Sequence, residues 1–237
     1  MSKNIKVFIG FTEVAGYYKN LHEGFLKNNI KCGYLNKGLN KLNYKTPTSN
    51  SIFFKLLMFY NKIVKNKILR ILFTPAYLFI TLLTFINIIL IYDVLIIHLG
   101  STLFKGLDIP LYKFFKKKLI VVSLGSESRP PILNGVFKDD LDITESRTIQ
   151  NIINESEIIR DRVVYYEKHS DHFISSSSHC HYNTKPIINY ILLGFPIEEI
   201  NFDKKIIKKN NGTFNILHAP TRPKSKGSYE IENIINK

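Results

Sequence analysis

Residues 71–92, ILFTPAYLFITLLTFINIILIY, carry no charged side chain, and no other stretch restricts the fold as much. A helix of about 20 apolar residues is long enough to cross a bilayer. Two features favour packing inside a globular domain instead. Thr74, Pro75, Thr81, Thr84 and Asn87 dilute the apolar character, and the stretch runs straight into YDVLIIH, 92–98. That second run is rich in β-branched residues, as in a parallel strand buried on both faces. The expectation is a buried helix followed by a core strand. Contact with a membrane surface ranks next, and a true span after it.

Similar runs recur at helix-length spacing. IKVFIGF at 5–11 reads as a buried strand, and 17–29 has helical spacing through Tyr17, Leu21, Phe25 and Leu26. CGYLN at 32–36 follows as a second strand. A basic helical stretch carries Lys62, Lys65, Lys67 and Arg70. Beyond the apolar helix come a strand at 119–123, loop-like residues 130–150, a polar helix at 151–168, and strands at 172–177 (HFISSS) and 190–196 (YILLGFP). Strands alternating with helices predict an α/β chain, a Rossmann-like open parallel sheet over residues 1–195. Residues 196–211 read as a charged linker. Residues 212–237 hold the strand TFNILHA, the basic loop TRPKSKG and the amphipathic SYEIENIINK. This is the first strand–loop–helix of a second Rossmann-like domain.

The two cysteines, Cys32 and Cys180, lack disulfide-framework spacing, and the apolar run in MSKNIKVFIGF is too short for a signal peptide. A cytoplasmic protein is expected, peripheral at the inner face of the membrane where it meets lipid. A formal net charge of +14 favours acidic partners: nucleotide phosphates, an anionic membrane or nucleic acid. A Lys- and Asn-rich composition of the kind AT-rich DNA encodes explains the excess equally well. Nucleic acid ranks last, because the basic residues are scattered and no recognised motif holds them.

Open parallel sheets bind ligands outside the carboxyl ends of their strands, so the residues just after each strand matter most. TEVAG at 12–16 lacks the full GxGxxG of a nicotinamide-binding turn. Gly16 either brings an anion to a helix N-terminus or serves only the turn. In LGSESR, 124–129, Gly125 and Ser126 offer N–H groups and a hydroxyl to an oxygen-rich ligand. Glu127 is a candidate catalytic base or sugar-hydroxyl acceptor and Arg129 an anion clamp, unless the two simply pair. His169, His172, His179 and His181 crowd around Cys180, but His179 and His181 face opposite ways in an extended chain and no CxxC accompanies them. No metal is expected. Arg222 and Lys226 lie four apart on a loop that opens a helix, an arrangement suited to a diphosphate.

Four stretches, in order, resemble the GT-B glycosyltransferases that build bacterial capsule, lipopolysaccharide and cell wall. YDVLIIHLGST is similar to the strand and turn that bring a histidine, here His98, to the family's cleft. IVVSLGSESR is similar to the "VVTFHGSDVR" segment, LLGFPIE to the interdomain "xPYPID" linker, and NILHAPTRPKSKG to the opening of the donor domain. The resemblance implies a nucleotide-sugar donor, a glycan or lipid-linked acceptor, no metal and no cofactor. Arg222 and Lys226 match the family's R-x-x-x-K pair on the donor diphosphate. Gly16, His98, Gly125, Ser126, Glu127 and Arg129 are implied to line the donor–acceptor cleft. Two departures are equally plain. Leu124 stands where the family has a histidine beside the donor sugar, and the family's acidic E-x7-E segment is not found after the basic loop. The chain is therefore expected to be truncated in the donor domain and inactive alone. The alternative is a non-catalytic acceptor-binding module, or a subunit completed by a separate donor-domain polypeptide.

Overall fold

The computed structural model describes residues 5–37, 51–63, 73–134, 149–190, 217–218 and 227–236. The chain divides into two compact units, residues 1–129 with 158–197 and residues 130–157 with 198–237.

The first unit is built on one open sheet of six parallel strands, in the order β2-β1-β3-β4-β5-β6. These are β1 (Val7–Phe11), β2 (Cys32–Asn36), β3 (Val94–His98), β4 (Lys118–Val122), β5 (His172–Ser175) and β6 (Ile188–Asn189). The fold is α/β and Rossmann-like, as the alternating runs predict. The helices are α1 (Tyr17–Lys27), α2 (Ile52–Ile63), α3 (Thr74–Ile91), α4 (Asp108–Phe114) and α5 (Ile149–His169), the last continuing from the second unit into the first.

Strand order dictates which face each helix covers. The chain steps one way from β1 to β2, then the other way from β2 through β3 and β4 to β5. With right-handed crossovers, the first helix must lie on one face and the later ones on the opposite face. Two separate cores follow. On one side Phe8, Leu95, Leu119 and Phe173 from the strands meet Phe54 of α2, Ile88 of α3, Tyr112 of α4 and Val163 of α5. On the other, Ile9, Tyr34, Ile96 and Val122 pack with Tyr18 and Leu21 of α1. Most of these side chains are fully buried, each worth roughly 1.5–3 kcal/mol of transfer free energy.

Helix α3 departs from the expectation of a buried helix. Thr81, Thr84, Phe85, Ile88 and Ile89 are buried, yet Phe79, Leu82, Ile86 and Leu90 on the opposite side are exposed. The reason is geometric: a helix lying on one face of a sheet has one side to bury, whatever its composition. The two buried threonines satisfy themselves locally, donating to the carbonyls of Tyr77 and Ile80 at 2.7 and 2.8 Å.

Gly33 in β2 has a steric reason. The Tyr92 ring, where α3 passes into β3, lies so close that a Cβ at 33 would fall 2.1 Å from its hydroxyl.

The last strand lies earlier than expected. β6 is Ile188–Asn189 and Tyr190 already has helical geometry; residues 191–196 of the expected strand lie outside the described residues. Lys185, preceding Pro186, is biased toward extended backbone, and the β-branched Ile187 and Ile188 follow, so pairing with β5 begins before the apolar run at 190.

In the second unit, α6 (Ser228–Ile235) starts after Gly227 in the left-handed region, φ 69°. The Ser228 hydroxyl and His218 Nε2 are 2.8 Å apart. The expected helix forms, but none of its residues is buried. Leu217 and His218, from the expected strand TFNILHA, are exposed and not in a strand. The rest of that strand, the linker 196–211, and Arg222 and Lys226 lie outside the described residues.

Candidate functional site

In this strand order the chain reverses direction between β1 and β3, and the carboxyl ends of those strands flank the position where such sheets bind ligands. His98 is the last residue of β3. Its Nδ1 lies 3.0 Å from the hydroxyl of Tyr18, in the first turn of α1. Its Nε2 lies 3.7 Å from Glu127 Oε1, carried by the turn after β4. Three crossovers thus deliver three side chains to one place.

The proton arrangement follows from the partners. Tyr18 is almost completely buried, and burial above all raises its pKa, with Tyr17 and Glu127 adding to the effect. It stays a phenol and donates to Nδ1, so the His98 N–H sits on Nε2 and faces the carboxylate. Burial lowers the His98 pKa, against the opposing pull of Glu127. His98 is therefore a neutral imidazole near pH 7, a donor more than a base.

Glu127 is fastened through one oxygen. Oε1 accepts from the backbone N–H groups of Leu124 and Gly125 at 2.6 and 3.1 Å and from the Ser123 hydroxyl at 3.1 Å. Burial pushes the carboxyl pKa up. The His98 interaction, the N–H groups of Glu127 and Leu124, and the Ser123 hydroxyl outweigh it and hold the group below the usual glutamate range. Glu127 is thus a fixed anion, and no hydrogen bond engages Oε2 among the described residues. A Cβ at Gly125 would come within 3.2 Å of that oxygen, so glycine leaves Oε2 clear on this side.

The turn that holds Glu127 is anchored to the next loop. Ser123 and Ser128, both fully buried, bond to each other through their hydroxyls, and Ser128 donates to the His179 carbonyl at 2.8 Å. The His179 ring meets the Ser176 hydroxyl at 2.9 Å. Burial lowers the His179 pKa, and Arg129 adds to the effect. Arg129 and Glu127 thus act on the His179 ring in opposite senses, whereas Ser126 is exposed.

Gly16 does a different job from the anion-binding role considered for it. It takes the left-handed conformation, φ 83°, at the start of α1. The free N–H groups there are already engaged: Glu13 accepts from Tyr18 N at 3.3 Å and from Lys19 N at 2.8 Å. Glu13 also accepts from the buried Tyr34 hydroxyl at 2.7 Å. The chain supplies its own anion to this helix end.

Of the expected cleft residues, His98 and Glu127 come together, with Gly125 shaping the second. Tyr18, Ser123, Ser128 and the orienting role of His179 were not anticipated. The signal for Tyr18 was weak but present, since it lies two residues past a turn glycine at a strand's carboxyl end. The clustered histidines separate. His169 stacks edge-on with Tyr165 at the end of α5 and His172 opens β5, while His179 and His181 follow that strand's far end. Among the described residues no three His, Cys, Asp or Glu side chains gather as a ligand set.

Compared with known protein families, with curated proteins and with solved structures, the chain matches none.

Proposed function

We propose that this chain carries the acceptor side of a glycosyltransferase that moves a sugar from a nucleotide-sugar donor to a glycan or lipid-linked acceptor of a surface polysaccharide. The observation that supports this reading best is Glu127, a carboxylate fixed through Oε1 in the turn after β4, with Oε2 unbonded among the described residues. A rigid anion with one oxygen unbonded among the described residues suits a hydroxyl donor, and sugars present hydroxyls. His98, held by Tyr18, orients its N–H toward the same carboxylate. On this reading Glu127 positions a saccharide hydroxyl rather than removing its proton, since a carboxylate held below its usual range is a weak base. Arg222 and Lys226 would neutralise the departing nucleotide diphosphate, an electrostatic role that needs no metal.

The same weak basicity, together with Leu124 in place of the family's histidine, favours a second reading. The chain then binds acceptor without catalysing, or is completed by a separate donor-domain polypeptide.

Isotope-edited NMR titration of the full chain with oligosaccharides and nucleotide sugars tests both. Shifts at Leu124, Gly125, Glu127 and His98 that vanish in Glu127→Gln support the site. Saccharides that leave these resonances unmoved dispose of it. A radiolabelled transfer assay, run with and without a donor-domain polypeptide, separates the two readings.

A further inference from the structure

Helices α2 and α3 pack as an antiparallel pair. Ser51, just before α2, bonds to Asn87 near the end of α3, while the rings of Tyr60 and Tyr77 stack at 5.0 Å at the other end. Their inner sides are buried against the sheet through Phe54, Leu57, Phe85 and Ile88. Their outer sides are apolar as well. Phe79, Leu82, Ile86 and Leu90 recur at i, i+3, i+7 and i+11 along α3, with Phe79 62% and Leu90 77% exposed. Ile52, Leu56 and Phe59 repeat the pattern on α2. A soluble domain keeps such a stripe uncovered only where something else covers it.

The charge of the sequence segment that carries both helices says what that is. Residues 24–92 contain ten lysines and arginines and not one aspartate or glutamate. Exposed Lys55 stands on α2 itself. A second copy of the chain would bring the same positive segment against the first, and repulsion opposes that pairing. A membrane span would pull Phe85, Ile88 and Ile89 off the sheet. An anionic bilayer matches both the apolar stripe, with Lys55 beside it, and a segment whose charged residues are all basic. We infer that the outer face of the α2–α3 pair lies flat on anionic lipid, its aromatic and aliphatic side chains entering the headgroup boundary while the first unit stays folded. This inference is independent of the glycosyltransferase reading, since it uses no residue of the candidate site.

The chain contains no tryptophan, so Phe79→Trp gives a single reporter. With the full chain and phosphatidylcholine vesicles containing a third phosphatidylglycerol, its emission should shift to the blue, and the protein should sediment with the vesicles. Pure phosphatidylcholine should bind it at least about tenfold more weakly, and high salt should release it. A Leu82→Glu/Leu90→Glu variant should lose about tenfold or more in vesicle affinity. Leu107→Glu, equally exposed but outside both helices, should bind as the wild type does. Four results would overturn the inference: no blue shift on anionic vesicles, equal loss in the Leu107→Glu control, a lipid-free dimer dissolved by Leu82→Glu/Leu90→Glu, or retention in vesicles through an alkaline carbonate wash.

Discussion

Two turns at the carboxyl edge of the sheet each carry one glutamate, and the two are used in opposite ways. After β1, Glu13 spends both oxygens within the fold, on two helix N–H groups and the Tyr34 phenol. After β4, and among the described residues, Glu127 spends only Oε1, on a backbone turn and a serine. The first carboxylate closes a helix end. The second is held still, and no described residue uses its other oxygen. Position at a strand's carboxyl end is therefore not enough to mark a functional acid; the count of acceptors left over separates the two.

Substitutions that exchange or remove these capacities test the contrast. The largest effect is expected from Glu127→Gln, whose carbonyl can keep the ties of Oε1 while its amide places a donor where Oε2 was. Saccharide affinity, or transfer in the completed enzyme, should drop about 100-fold, with the denaturant midpoint almost unchanged. A matching loss of stability would make Glu127 a second Glu13. Glu13→Ala should show the reverse in urea titration. About 2 kcal/mol of stability should disappear with the cap and the Tyr34 acceptor, and saccharide binding by the folded fraction should persist. Tyr18→Phe removes one donor from His98 and should cost about 1 kcal/mol, while allowing the ring to turn, visible as a shift of its imidazole resonances.

The smallest effect is a pH dependence. Burial lowers the His98 pKa in the folded chain, so the unfolded chain takes up the proton more readily. The stability held by a neutral His98 is whole above about pH 6.5 and is lost as pH falls through the folded value. His22 and His179 are shifted the same way, so the measurement is a difference. Between about pH 7.5 and 5 the unfolding free energy of the wild type should fall more steeply than that of His98→Gln. Parallel curves would remove the neutral-imidazole assignment.

The same contrast explains how far the sequence could be read. Strands β1 to β5 and helix α1 were legible because each is a short run with its own periodicity; β2 occupies the residues expected of it, Cys32–Asn36. The exposed side of α3 was hidden, because a helix apolar all round gives no sign of which side meets the sheet. Glu127 and His98 stood out by their place at strand ends. Their meeting with Tyr18, 80 residues from His98, depends on strand order, which local patterns do not encode. Glu13 escaped notice for a related reason. Nothing local told it apart from a ligand-binding acid, since one of its three partners, Tyr34, comes from the neighbouring strand.

The contact between Gly33 and Tyr92 has a consequence for descent. The ring at 92 occupies the space that any side chain at 33 would need, so position 33 cannot change while the ring stays where it is. A relative of this chain with alanine or serine at 33 must already have a smaller residue at 92. The order of such changes is set as well: the ring must shrink first, because the reverse order passes through a clash in the core of β2. An ancestral series through these two sites would therefore record a one-way path, legible in sequences without another structure.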